Sequence, residues 1–140
     1  MTTFVIDASV AIKWVIEEPG TKKALSLRHH RLLAPDLLVP ECANILWKKV
    51  RRKELSSNEA GLAARLLARA DIELEPTRPL FERAVELAIA LDHPAYDCTY
   101  LALAEVHGCD FVTADETLSR KTSVAGFASR ILVLHTIGAS

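Results

Sequence analysis

The sequence has no long hydrophobic run, no basic leader and no paired cysteine motif. No apolar stretch approaches the ~20 residues that a membrane span needs, so we expect no transmembrane helix. The N-terminal Met1-Thr2-Thr3 carries no basic residue and runs directly into a strand-like segment, unlike a signal peptide. The cysteines have no CxxC spacing and indicate free thiols in a reducing cytoplasm; they are Cys42, Cys98 and Cys109.

Internal repeats, low-complexity segments and linker-like stretches are also absent from the sequence. With 140 residues, of which 50% are hydrophobic and 25% charged, the composition predicts one folded domain over residues 1–140. The net charge of −1 favours no class of partner by itself.

One short segment concentrates positive charge. It consists of Lys48, Lys49, Arg51, Arg52 and Lys53. Such a basic run is a candidate for contacting a nucleic-acid backbone. The alternative is a solvated helix end, where cations also suit the helix dipole.

Short apolar runs alternate with helical patterns along the chain. Predicted strands cover residues 3–7, 31–34, 72–75, 111–113 and 131–134. Predicted helices cover residues 9–16, 21–30, 35–53, a segment from residue 56 onward, 77–91, 96–107 and 116–122. This alternation, with continuously apolar strands at both ends, indicates an α/β fold whose parallel sheet is covered on both faces.

Single residues predict how the helices begin, bend and end. Ser56 and Glu59 have the spacing of a capping box, and Gly108 has the position of a helix stop. Pro40 predicts a kink inside the third helix. The helix after Ser56 is expected to bury one apolar stripe, formed by Leu62, Leu66, Leu67 and Ala70.

Four acidic residues stand beside apolar segments, where a carboxylate needs an explanation. Asp7 ends the first strand and Asp115 follows the fourth, so both should lie at the sheet edge where ligands bind in such folds. Glu41 and Asp97 stand on helices. The start of a helix favours an acid, which accounts for Asp97, whereas Glu41 is expected a turn or more inside its helix.

A divalent cation would neutralise these acids. An unpaired buried carboxylate is costly, and the surrounding motifs contain no obvious Lys or Arg partner. Oxygen ligands without paired His or Cys favour Mg²⁺ or Mn²⁺ over zinc. The alternative is that two of the acids cap helices and two lie in ordinary turns.

The neighbours of these acids have less specific patterns. Cys42 and Cys98 directly follow two of them and should face the core, since consecutive helical residues point about 100° apart. His93 precedes Pro94 and is expected to be a loop residue rather than a metal ligand. Trp14 and Trp47 are expected in the core or at an interface, and Tyr96 and Tyr100 are expected to pack, with a position bordering the groove as the alternative for Tyr96.

Four segments together resemble the PIN domain, and specifically the VapC-type toxin ribonucleases of toxin–antitoxin pairs. They are VIDASVAIKWV, LLVPECANILWK, AYDCTYLALAEVHGCDFVTAD and the final ILVL, and the resemblance extends over about residues 3–134. No single motif is specific, but four acids in matching order and context are. The resemblance implies three layers, with a five-stranded parallel sheet of order 3-2-1-4-5 between helices.

The resemblance also implies a metal-binding catalytic site. Its acids correspond to Asp7, Glu41, Asp97 and Asp115. Supporting positions correspond to the hydroxyl residues Ser9 and Thr113 and to the polar Asn44. Further implications are endonucleolytic cleavage of RNA with Mg²⁺ or Mn²⁺, a small antitoxin that inserts into the active-site groove, and a homodimer.

Two other protein classes place acids at strand ends. A receiver-like signalling domain needs adjacent acids after its first strand and a lysine after its last, but Ile6 precedes Asp7 and the segment 134–137 has no lysine. A haloacid-dehalogenase-type phosphatase needs a second acid where Ser9 stands. A catalytically weak PIN module that mainly binds RNA or a protein remains open.

Overall fold

The fold is built on a parallel sheet of five strands. The computed structural model describes residues 2–126 and 131–138. Met1, which belongs to the segment expected to differ from a signal peptide, lies outside the described residues. The strands are β1 (Thr3–Ile6), β2 (Arg31–Pro35), β3 (Glu73–Glu75), β4 (Asp110–Thr113) and β5 (Ile131–Val133). Neighbouring strands are parallel and their order is β3-β2-β1-β4-β5, which confirms the predicted order. It differs from the 2-1-3-4-5 order typical of receiver domains.

Helices connect the strands and cover both faces of the sheet. They are α1 (Ala8–Ala11), α2 (Thr21–Ser26), α3 (Leu38–Arg51), α4 (Ser57–Ala68), α5 (Phe81–Leu91), α6 (Ala95–His107) and α7 (Glu116–Val124). Short 3₁₀ turns cover Ile12–Trp14, Leu27–His29, Arg78–Leu80 and Leu134–Thr136. In the described part of the chain, no helix has the length and apolar character to cross a membrane.

The core lies between the central strands and helix α6. The central strands are apolar on both faces, and Val5, Leu33 and Phe111 are at most 1% exposed. Every residue of α6 from Cys98 to Ala104 is buried, and the Tyr100 ring stacks on Phe111 with centroids 5.5 Å apart. Because a helix segment that is buried all round cannot shift without opening the core, residues 98–104 hold α6 against the sheet.

The start of α3 differs from the prediction. Pro35 ends β2 and the helix begins at Leu38, so Pro40 lies in the first turn. First-turn N–H groups have no intrahelical partner, so Pro40 breaks no helix hydrogen bond and the expected kink loses its cause. Glu41 also lies in this first turn, so the expectation that it stands deeper in the helix is wrong.

Other boundaries differ by only a few residues. Helix α6 begins at Ala95 rather than at Tyr96 or Asp97, and it ends at Gly108 with φ 61°, as predicted. Helix α7 continues to Val124, and β5 ends at Val133 because a 3₁₀ turn begins at Leu134.

Helix α4 begins as predicted but buries a partly different face. The capping box is present, since the Ser56 hydroxyl accepts from the Glu59 amide at 3.1 Å and the Glu59 carboxylate accepts from the Ser56 amide at 2.8 Å. The predicted stripe is confirmed only in part: Leu67 and Ala70 are partly buried and Leu67 packs against the core, but Leu62 and Leu66 are 52% and 50% exposed. Ala63, outside the predicted stripe, is buried. The small Ala63 lets α4 pack closely against Leu46 of α3.

We predict that Ser56→Ala destabilises the protein by about 1 kcal/mol, because the Glu59 amide loses its acceptor at the start of α4. The measurement is urea unfolding followed by circular dichroism. Ser57→Ala is the matched control, since Ser57 is the exposed first helical residue and Ala is a better helix former. Equal destabilisation by both substitutions would contradict the capping role.

Candidate active site

Two of the four acids meet at the centre of the sheet. Strands β1 and β4 lie side by side, with Ile6 opposite Val112. Asp7 directly follows β1, and Asp115 caps helix α7 two residues after the end of β4. Because parallel strands end at the same edge, both carboxylates lie at the carboxyl edge of the sheet, at the point where the strand order reverses.

The helices bring the other two acids to the same place. A cavity of about 550 Å³ opens above this edge of the sheet. Its lining residues are Asp7, Ala8, Ser9, Leu37, Pro40, Glu41, Asn44, Ile45, Lys48, Tyr96, Asp97 and Asp115. All four predicted acids therefore line one cavity, together with Ser9, Asn44 and one residue of the basic run.

Asp7 is held by two hydroxyl groups. Ser9 Oγ donates to Oδ1 at 2.5 Å, and Thr113 Oγ1 donates to Oδ2 at 2.6 Å. Both hydroxyls also accept from backbone amides, Ser9 from Ala114 at 2.9 Å and Thr113 from Asp115 at 3.2 Å. Each oxygen of Asp7 is thus fixed, and the ends of β1 and β4 are tied together by side chains.

Ionisation of the Asp7 carboxyl is unfavourable at this buried position. Asp7 is 7% exposed, and its burial raises the pKa of the carboxyl to about 6. The hydrogen bonds from Ser9 and Thr113 oppose this rise in pKa, and the negative charge of Asp97 adds to it. Nearby positive charge would favour the ionised carboxylate.

Glu41 is also held by a hydroxyl group. The buried Tyr100 donates its phenol O–H to Glu41 Oε1 at 2.5 Å. Partial burial raises the pKa of Glu41, and the negative charge of Asp97 contributes to this rise. Tyr100 was expected only to pack, so its contact with the site is a finding of the structure.

The remaining acids stand at helix starts. Asp97 lies in the first turn of α6, and its Oδ2 is 2.7 Å from His93 Nε2. Asp115 accepts from the Thr117 amide at 2.9 Å, and this hydrogen bond holds the pKa of Asp115 below its usual value. His93 is a loop residue, as predicted, but its direct contact with Asp97 was missed.

The basic run divides between two surfaces. Lys48 lines the cavity, one turn beyond Asn44. Lys49 points elsewhere and forms an ion pair with Glu18 at 3.2 Å. Arg51 lies over the Trp47 ring, 5.4 Å from its centroid, and Trp47 is 53% exposed rather than packed in the core. Only Lys48 of the five cations thus lines the acidic cavity in the described structure.

The family described as PIN domain matches residues 4–123 of the sequence. This chain belongs to the PIN domain family. The match includes all four acids, and the sheet order is the one that the resemblance implied.

Relatives of this PIN domain include named ribonucleases. A VapC ribonuclease of Mycobacterium bovis is 33% identical over 115 residues, which are 82% of this chain and 87% of that protein. Ribonuclease VapC3 of Pyrobaculum aerophilum is 33% identical over 122 residues, which are 84% of this chain and 92% of that protein.

Solved structures share the fold. The crystal structure of PAE2754 from Pyrobaculum aerophilum has a TM-score of 0.73 at 22% identity, covering 96% of this chain and 92% of that one. VapC20 of Mycobacterium tuberculosis, described as a sarcin–ricin loop cleaving toxin, has a TM-score of 0.64 at 18% identity, covering 91% of this chain and 98% of that one.

The donor set of the PIN domain suits a hard cation, but it is not a closed cage. Carboxylate oxygens are the ligands that Mg²⁺ and Mn²⁺ prefer. Within residues 2–126 and 131–138, however, no three His, Cys, Asp or Glu side chains are grouped closely enough to hold one metal ion. A cation here would complete its coordination with water, which Mg²⁺ usually retains.

The prediction that Cys42 and Cys98 face the core is confirmed. Cys42 and Cys98 are 7% and 0% exposed, and burial raises the pKa of their thiols to about 12 and about 11. Only one of the two missed contacts had a local signal. His93 lies four residues before Asp97, a spacing at which two side chains can meet.

We predict that Asp7→Asn stabilises the metal-free protein at neutral pH. The folded-state pKa of about 6 lies above the ordinary 3.8, so stability falls as pH rises between these values. A neutral Asn avoids this loss, which is roughly 2–3 kcal/mol above pH 6. The gain should shrink towards zero as pH falls to 4.

The measurement is urea unfolding in EDTA at several pH values. Asp71→Asn is the matched control, because Asp71 is exposed and outside the cavity. Asp7→Asn proteins that are less stable than the parent protein at pH 7.5 would show that the hydroxyl contacts outweigh the buried charge.

Proposed function

We propose that this protein is a divalent-metal-dependent endoribonuclease that cleaves RNA at the acidic cavity, and that it is the toxin of a toxin–antitoxin pair. The observation that carries the proposal is the convergence of Asp7, Glu41, Asp97 and Asp115 from four separate segments on one cavity. The VapC ribonucleases that are 33% identical support RNA as the substrate.

The proposed reaction is hydrolysis of a phosphodiester by in-line attack of water. A new P–O bond forms, the bond from phosphorus to the 3′-oxygen breaks, and that oxygen takes a proton. The products are a 5′-phosphate and a 3′-hydroxyl. When bound, Mg²⁺ or Mn²⁺ would supply Lewis-acid activation of water and neutralise phosphate charge.

The residues of the chain would hold this chemistry in place. The four acids that line the cavity are the candidates to hold a cation, directly or through water; they are Asp7, Glu41, Asp97 and Asp115. Ser9 and Thr113 keep the Asp7 carboxylate from rotating. Tyr100 does the same for Glu41.

The α3 face of the cavity would bind the RNA. Lys48 and Asn44 line the cavity on this helix, beyond the Glu41 carboxylate. Lys48 can attract a phosphate, and the Asn44 amide can donate to a phosphate or sugar oxygen. Without a cation, the four carboxylates would repel the same phosphate.

The proposal includes an antitoxin partner, a homodimer, a cytoplasmic location and one domain over residues 1–140. Cys42 and Cys98 are buried free thiols, which suits a reducing compartment. Helix α5 exposes Phe81 (69%), Val85 (40%) and Ile89 (77%) at the spacing of one helix face, which supports association with a second copy.

A second candidate function is a PIN module that binds RNA or a protein without efficient cleavage. Two observations favour it. No compact group of three metal-ligating side chains is present in the described residues, and the raised pKa of Asp7 disfavours its ionised form. Metal binding and turnover must therefore both be measured.

We expect Asp7→Asn to lower Mg²⁺-dependent RNA cleavage by at least about tenfold, because it removes the fixed carboxylate at the strand end. Cleavage of structured RNAs would be followed over a Mg²⁺ titration. Glu116→Gln is the matched control, since Glu116 follows Asp115 but pairs with Arg120 outside the cavity. RNA binding by the parent protein without cleavage at any Mg²⁺ or Mn²⁺ concentration would favour the binding module.

Lys48→Gln should weaken RNA binding and reduce its salt dependence, since the cavity loses its one cation of the basic run. The slope of log affinity against log salt should fall by about 0.7 for a single-stranded RNA. The RNA affinity would be measured by fluorescence anisotropy at several salt concentrations, in buffer that contains Ca²⁺. Arg52→Gln has the same charge change outside the cavity and should leave the slope less affected; a larger effect there would move the RNA path away from Lys48.

A further inference from the structure

The loop between α5 and α6 places a buried histidine against one of the four acids. His93 is 9% exposed, and its Nε2 lies 2.7 Å from Asp97 Oδ2. An ionised carboxylate can only accept hydrogen bonds, so Nε2 must carry the hydrogen in this contact. His93 does not itself line the cavity in the described structure, so it approaches Asp97 from the protein side.

Three helices hold this loop in place. The His93 amide donates to Ala88 O of α5 at 3.1 Å. From α7, Lys121 Nζ donates to Asp92 O at 2.5 Å. On the α6 side, the Cys98 thiol lies 4.0 Å from the His93 carbonyl oxygen. The imidazole is therefore presented by a fixed turn.

Packing alone does not explain a histidine at this position. Among the described residues its Nδ1 is buried without a hydrogen-bond partner. A buried polar atom without a partner is unfavourable, and an apolar side chain of similar size would avoid it. The contact that uses the polarity of the ring is the one from Nε2 to Asp97.

The Asp97 carboxylate is less restrained by its surroundings than the Asp7 carboxylate. Its side chain is 34% exposed, whereas the Asp7 carboxylate is buried and fixed at both oxygens. A partly exposed carboxylate has rotational freedom that a hydrogen bond from the protein side removes. Among the described residues, His93 supplies the side-chain hydrogen bond to Asp97.

We propose that His93 is a positioning residue that orients the Asp97 carboxylate into the cavity for a divalent cation. This role rests on the proposed function. Outer hydrogen bonds to metal-binding groups typically change metal affinity 10- to 100-fold when removed. His93 would therefore set the cation concentration that the protein needs, without touching the RNA.

The test compares His93→Gln with His93→Asn. The Gln amide nitrogen reaches about as far as imidazole Nε2, so it can still donate to Asp97. The Asn amide nitrogen reaches only about as far as Nδ1 and cannot. Mn²⁺ binding to the RNA-free protein would be measured by isothermal titration calorimetry, and RNA cleavage would be measured against Mg²⁺ concentration.

The expected result is a split between the two variants. His93→Asn should weaken Mn²⁺ binding about tenfold or more and raise the half-maximal Mg²⁺ concentration by a similar factor. His93→Gln should stay within about threefold of the parent protein on both measures. Circular dichroism would establish that both are folded, and an unfolded Asn variant would be replaced by His93→Ser.

Two outcomes overturn the proposal, and they differ. Mn²⁺ binding that is unchanged in both variants, or equally weakened in both, removes the positioning role of His93 and leaves the proposed function intact. A parent protein that neither binds Mn²⁺ nor cleaves RNA removes the proposed function and the role of His93 with it.

Discussion

The carboxylate of Asp7 is the point on which the candidate site depends. It is buried at the end of β1 and accepts one hydroxyl hydrogen bond on each oxygen, from Ser9 and from Thr113. Since Thr113 ends β4, this interaction fixes the two central strands relative to each other at their carboxyl ends. A buried charge that is fully hydrogen-bonded but has no cationic partner in the described structure can stay ionised only at a cost. The other acids are arranged around this fixed charge.

The three other acids share a feature that reduces their mutual repulsion. Glu41 and Asp97 stand in the first turns of α3 and α6, and Asp115 caps α7. Helix N-termini carry partial positive charge, which favours a nearby carboxylate by about 0.3–1 kcal/mol each. Three helix starts therefore converge on the cavity and offset part of its negative charge. In the proposed function, the remaining charge would attract a divalent cation and, through it, a phosphodiester.

Much of the fold could be predicted because the strands are continuously apolar and because acids follow the ends of two of them. Asp7 and Asp115 were found in this way, and parallel strands then require a common edge. The pairing of Glu41 with Tyr100 joins residues 59 apart and depends on how α3 and α6 pack, which no local pattern records. The buried face of α4 was predicted only in part for a related reason: periodicity identifies apolar faces, but Ala63 rather than Leu66 meets α3. The start of α3 depends on the turn after Pro35. The helix was therefore predicted to begin too early, and Pro40 was wrongly expected to kink it.

The distance along the chain between Asp7 and its partners also has a consequence for synthesis. The hydrogen bond from Thr113 joins residues that are 106 positions apart, and Asp115 lies further on. The ribosome adds Asp7 early in synthesis. The hydrogen bond from Thr113 to Asp7 cannot form until β4 has left the exit tunnel and paired with β1. Parallel strands of large sequence separation pair late in folding. A nascent chain that has not been translated beyond Asp115 therefore lacks the assembled cavity.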